Sequence, residues 1–122
     1  MLRMVDSTQS TRRSQLLRGV LDLCLLSTID DSPTYGYEMT KRLAEQGLSI
    51  VAEGSIYPVL GRLERERLIE SFLQNGGAGP ARKYYRTTAT GKEALAGWTE
   101  EWRGLRTAVD SVLVLAEGEV RE

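Results

Sequence analysis

Histidine is absent from this chain of 122 residues, and Cys24 is its only cysteine. One chain therefore cannot supply a His/Cys zinc site, a Ser-His-Asp triad or a disulfide framework. Most enzyme classes go with those groups, and no convergent pair of carboxylates is visible to replace them. Cys24 lies in an apolar helical run whose neighbours offer no cation to lower its pKa, so it reads as a small core residue and not as a redox sensor. Long apolar runs are missing too. Residues 1–11 are polar and lack the apolar stretch of a secretory signal, and the run from Leu16 to Ile29 is broken by Arg18 and Asp22. The expectation is a soluble, cytoplasmic, single-domain protein that is not an enzyme and has no catalytic residues, metal, cofactor or membrane partner.

What is present is unevenly distributed. Between residues 54 and 92 stand seven basic residues (62, 65, 67, 82, 83, 86, 92) against three acidic ones (64, 66, 70), a local charge of +4. Residues 1–53 carry −1 and residues 93–122 carry −4, which brings the whole to −1. A positive patch on an acidic body fits a nucleic-acid partner better than the net charge suggests.

The basic segment opens with Glu53 to Leu68, EGSIYPVLGRLERERL. Ile56, Val59, Leu60 and Leu63 recur at three- and four-residue spacing and form one apolar stripe of a short helix, while Tyr57, Pro58, Gly61, Arg62 and Arg65 face elsewhere. Ser55 is placed to cap that helix, with Pro58 in its first turn. LIESFLQ and RKYYRT follow as two strands of period two around the glycine-rich turn NGGAGPA, a β-hairpin wing. That turn lacks the Gly-Lys-Ser/Thr ending of a Walker loop.

Upstream, Arg12 to about Ile29 reads as a first helix. Its stripe of Leu16, Leu17, Val20, Leu21, Cys24 and Leu25 is widened by Leu23 and Leu26, so it must be covered on more than one side; a partner subunit is expected to cover part of it, the alternative being a central core helix of a monomer. Asp30 to Pro33 form a turn. The second helix begins at Thr34 or Tyr35 and runs to about Gln46, with Met39 and Leu43 on one face and Gly47 ending it in the left-handed conformation. Downstream, a helix over 88–117 carries Leu95, Trp98, Trp102, Leu105, Val109, Val112 and Ala116 at alternating three- and four-residue spacing, a coiled-coil seam that asks for a second copy. Such a helix extends about 40 Å. At a twofold axis Trp102 meets its own mate, and paired aromatics make a slot for planar ligands.

The expected fold is mainly α with a small β-hairpin: a tail at 1–11, a winged helix-turn-helix over 12–87, a dimerisation helix over 88–117 and a tail at 118–122. The residues Leu17-Arg18-Gly19-Val20-Leu21-Asp22, Tyr35-Gly36-Tyr37-Glu38, Gly54-Ser55-Ile56-Tyr57-Pro58, Leu60 with Arg62-Leu63-Glu64, and Lys83-Tyr84-Tyr85-Arg86 with Thr88 and Gly91 resemble the PadR family of transcriptional regulators, in its shorter form. The resemblance covers about Ser14 to Val114 and implies a homodimeric repressor of a double-stranded DNA operator, similar to multidrug-sensing members. It places Ser55, Tyr57, Pro58 and Arg62 in the major groove, Tyr35 and Gly36 near phosphates, and Arg82, Lys83 and Tyr84 on the wing. Arg62 is the candidate guanine reader. It also sets Trp102, beside Trp98, at the position of a tryptophan that stacks a planar aromatic or cationic effector, and Leu17, Leu21, Leu95, Trp98, Trp102, Leu105, Val109 and Val112 at the dimer interface. The acidic pI of 5.6 keeps open a second reading, a winged-helix protein-interaction module without specific DNA binding.

Overall fold

The computed structural model describes residues 11–49, 51–77 and 79–121, with the backbone alone for Glu53 and residues 116–121. In order come α1 (residues 11–18), α2 (Leu21–Asp31), β1 (Thr34–Tyr35), α3 (Gly36–Glu45), α4 (Glu53–Arg65), β2 (Ile69–Gln74), β3 (Arg82–Thr87) and α5 (Ala89–Arg121). The tail expected at 1–11 lies, apart from Thr11, outside the described residues, as does Glu122.

The first helix expected over 12–29 is two helices. At Gly19–Val20 the ladder stops, and the Val20 N–H reaches back to the nearer Leu17 carbonyl, 2.9 Å away. Glycine holds a helix poorly, and Asp22 in the first turn of α2 suits the positive end of a new helix. The Asp22 carboxylate accepts the Leu23 N–H at 2.7 Å.

From there α2 runs through the centre of the molecule, packed by α3, α4, α5 and β3. Leu25, Leu26 and Ile29 are buried against Met39 and Leu43 of α3, Ile56, Leu60 and Leu63 of α4, and Val51, Leu68, Ile69 and Tyr85. Most of the cover that the apolar circumference of α2 requires comes from its own chain, with Leu17 and Leu21 half-buried against the same core.

Two helices end alike. Beyond α3 the Leu48 N–H donates to the Leu43 carbonyl (2.9 Å) and the Gly47 N–H to that of Ala44 (3.0 Å), with Gly47 at φ +100. Beyond α4 the Leu68 N–H donates to Leu63 (2.9 Å) and that of Arg67 to Glu64 (3.0 Å), with Arg67 at φ +61. Both are Schellman caps, and the apolar pairs Leu43–Leu48 and Leu63–Leu68 accompany them.

The start of α4 differs from expectation. It begins at Glu53 after an extended Ala52, and Ser55 does not cap it: its hydroxyl donates to the Ala52 carbonyl at 2.7 Å. Pro58 is therefore inside the helix and removes the bond to the Gly54 carbonyl. Gly54 is exposed, so water can satisfy that carbonyl.

The wing has three strands, in the order β1-β3-β2, all antiparallel. Thr34 and Tyr35, expected at the start of the second helix, pair with Tyr85 and Tyr84, and α3 begins at Gly36. Two residues are too short for an alternating pattern to show. Ile69, Tyr85 and Thr34 turn inward and are buried, while Tyr35, Phe72 and Tyr84 line the outer face.

Thr88 joins sheet to helix. Its hydroxyl accepts the Gly91 N–H (2.9 Å) as an N-cap and donates to the Arg67 carbonyl (2.7 Å). Gly91 presses on the Leu68 carbonyl oxygen, where a Cβ would collide. Leu95 and Trp98 pack on the core, after which α5 leaves the body and continues to Arg121, past the end expected at 117. No proline interrupts residues 118–121, and Gly118 alone does not stop a helix already formed.

Candidate nucleic-acid interface

The apolar stripe of α4 faces inward: Ile56, Leu60 and Leu63 are buried and Val59 is half-buried. That fixes the rotation of the helix and turns Ser55, Tyr57, Pro58, Arg62 and Arg65 outward, all of them exposed. Tyr57 leans over the N-terminus of α3, its ring on Gly36, where any side chain would occupy the space of the phenol. Gly36 is thus required by a close approach.

Tyr57, Tyr35, Gly36, Tyr37, Arg82, Lys83 and Tyr85 line a cleft of about 340 Å³ between α4, α3 and the wing. At its floor the first turn of α3 carries N–H groups without helical acceptors, which suits an anionic oxygen. Five of the residues expected to bind DNA, Tyr35, Gly36, Tyr57, Arg82 and Lys83, meet there. Ser55 and Pro58 lie beside it on α4, and Arg62 lies on the flank facing α2.

Tyr84 belongs to a different surface. On the outer face of the sheet its ring lies 5.1 Å from Tyr35 and 5.8 Å from Phe72. The Arg82 guanidinium covers Tyr35 and that of Arg86 covers Phe72, each 4.6 Å from the ring centroid. Arginines on aromatic faces are held in place without losing their charge. Arg82 is thereby pre-positioned at the mouth of the cleft.

The other cations differ in how they are engaged. Arg86 pairs with Glu70 at 2.7 Å, Lys83 approaches Glu64 at 3.8 Å, and Arg62 approaches Asp22 at 3.4 Å. These contacts are exposed and each is worth well under about 1 kcal/mol, so a phosphate can displace the carboxylate. Arg65 has no acidic partner among the described residues. Tyr37, 59% exposed, and Arg65 are not among the DNA-binding residues expected from the sequence. For Arg65 the signal was its phase on α4, opposite the buried stripe.

On the far side of α2 a second cleft, of about 490 Å³, is lined by Gly19, Val20, Asp22, Leu23, Trp98, Glu101, Trp102 and Leu105. The break at Gly19–Val20 opens its floor. Two indoles and two carboxylates suit a flat cation. Trp102 is 38% exposed, and Leu105, Val109 and Val112 are exposed along α5, whereas Leu95 and Trp98 are partly used by their own core. Ala116, the last seam position, lies outside the described side chains.

Among the described residues no three His, Cys, Asp or Glu side chains gather as a metal site, and no helix is long and apolar enough to cross a membrane.

Comparison with known proteins agrees with this geometry. The chain is 42% identical to a PadR-like transcriptional regulator of Bacillus cereus, with a TM-score of 0.75 over 81% of this chain and 96% of that one. It is 35% identical to a PadR family transcriptional regulator of Eggerthella lenta, with a TM-score of 0.78 over 91% and 96%. A transcriptional regulator of Mycobacterium tuberculosis is 35% identical over 96 residues, 79% of this chain and 85% of that protein. Residues 25–97 match the transcriptional regulator PadR-like family, whose members are regulators and not enzymes. With a buried-stripe helix beside a three-stranded wing and a long helix behind it, this chain belongs to the PadR-like family of transcriptional regulators.

Proposed function

We propose that the chain works in the cytoplasm as a homodimeric repressor that binds a pseudo-palindromic double-stranded operator and is released by a planar, cationic or aromatic small molecule. The observation that carries the reading is the cleft between α4, α3 and the wing, which gathers Tyr35, Gly36, Tyr57, Arg82 and Lys83 beside the exposed face of a helix. Residues 12–87 form the DNA-binding unit and α5 the dimerisation helix. In this reading α4 enters the major groove with Ser55, Tyr57, Pro58 and Arg62 against the DNA, while the α3 N-terminus, Arg82 and Lys83 hold the flanking phosphates. Tyr84 acts through the wing, by packing at a tilt against the Tyr35 ring that positions Arg82.

A second copy covers the exposed seam of Trp102, Leu105, Val109 and Val112 and sets the two α4 helices roughly one DNA turn apart, about 34 Å. An effector in the Trp98–Trp102 cleft sits where α5 meets α2, so it changes that separation.

The test is binding of the purified protein to its own upstream DNA at several salt concentrations with nonspecific competitor. A specific shift that weakens steeply with salt is expected. A folded dimer that shifts no DNA would transfer the assignment to a protein-interaction module. For the effector, planar cations should quench tryptophan fluorescence in the wild type and not in Trp102→Leu.

A further inference from the structure

Among the outward residues of α4, one line runs straight down the face opposite the core. Gly54, Pro58, Gly61 and Arg65 are spaced four, three and four residues apart, in antiphase to the buried Ile56, Leu60 and Leu63. Gly54 and Gly61 have no side chain and Pro58 only a short ring closed on its own nitrogen, so the line is a low strip with one long cation at its end. Helical side chains slope toward the N-terminus, and Arg65 does so here: a Cβ built on Gly61 would stand 3.3 Å from its Nη1. The guanidinium therefore lies over Gly61, near the middle of the presented face and not at the end of the helix.

Arg62 is on the flank, 3.4 Å from Asp22. Arg82 lies over Tyr35, and Lys83 and Arg86 stand near Glu64 and Glu70. Arg65 is exposed, without a carboxylate partner among the described residues, and on the axis that would face the floor of a groove.

We infer that Arg65, and not Arg62, is the base-reading residue of α4, bonding O6 and N7 of a guanine once in each half-site while Arg62 contacts the backbone. The inference rests on the DNA-binding reading above and adds the identity of the reader. A guanidinium offers two parallel donors to those two acceptors, a match that an ammonium cannot make. The low strip of Gly54, Pro58 and Gly61 lets the helix backbone approach closely enough for the side chain to reach.

The experiment starts from a pool of random duplexes, from which the wild-type protein selects its site. Each base pair of a half-site is then replaced in turn, and affinities are measured for the wild type, R65A, R65K and R62A. The wild type should lose on the order of tenfold to a hundredfold at one G·C pair per half-site. R65A and R65K should lose that preference, and R62A should keep it while binding all sequences more weakly. Survival of the preference in R65A would overturn the inference. So would a uniform loss in R65A across all sequences with a shallower salt dependence, the mark of a phosphate contact. If the wild type selects no sequence from the pool, the DNA-binding reading fails first and this one with it.

Discussion

Arg67 holds left-handed backbone at φ +61 in the cap that ends α4, the position where the equivalent cap of α3 has Gly47 at φ +100. A side chain there costs about 1–2 kcal/mol of backbone strain, partly offset because a glycine is freer in the unfolded chain. Arg67→Gly should therefore stabilise the protein by about 0.5–1 kcal/mol, read as a rise of a few degrees in a thermal melt. Cys24 makes a second prediction at this scale. Burial, and secondarily the Asp22 carboxylate, raise its pKa above the ordinary thiol value. Less thiolate is present at any neutral or mildly alkaline pH, so alkylation by iodoacetamide at pH 8 should be slower than that of glutathione, and unfolding should abolish the difference.

Among the elements, the junction of α4, β2 and α5 is the tightest. Thr88 caps α5 and binds the end of α4, and Gly91 lets α5 approach the Leu68 carbonyl. Gly91→Ala cannot relax by moving a flexible tip, because its neighbour is backbone. It should cost on the order of 2 kcal/mol or more, measured by urea denaturation, despite the better helix propensity of alanine. Pro58 poses the opposite case. A proline inside a helix costs up to about 3 kcal/mol, yet it keeps the outward strip of α4 low. Pro58→Ala should raise the melting temperature, and a gel-shift titration should show no gain in operator affinity. The pattern of α4 was plain from its three- and four-residue spacing. Its first residue was not, because Ser55 and Pro58 are both common at helix starts and only the backbone shows them one turn further in.

At the scale of the molecule, α5 carries its apolar seam away from the body: Leu105, Val109 and Val112 are 60%, 47% and 65% exposed. Replacing Leu105 and Val109 by aspartate changes no core residue, so the body should stay folded while sedimentation reports a monomer. Operator affinity should then fall on the order of a hundredfold or more, since two linked half-site contacts become one.

The amino-acid sequence by itself determined the periodic parts of this protein: the buried faces of α3 and α4, the two long strands of the wing and the run of apolar residues along α5. Those features repeat every two or every three to four residues, and burial of apolar area selects the same periods in any context. The charge separation between residues 54–92 and the rest was legible for a different reason, charge being additive over the chain. Tertiary structure alone decided the break at Gly19–Val20, the two-residue strand β1, the placement of Tyr57 on Gly36 and the partners of each arginine. None of these has a period. Each depends on contacts between residues far apart in sequence, such as Asp22 with Arg62 or Thr34 with Tyr85, and those exist only once the core has set the elements side by side.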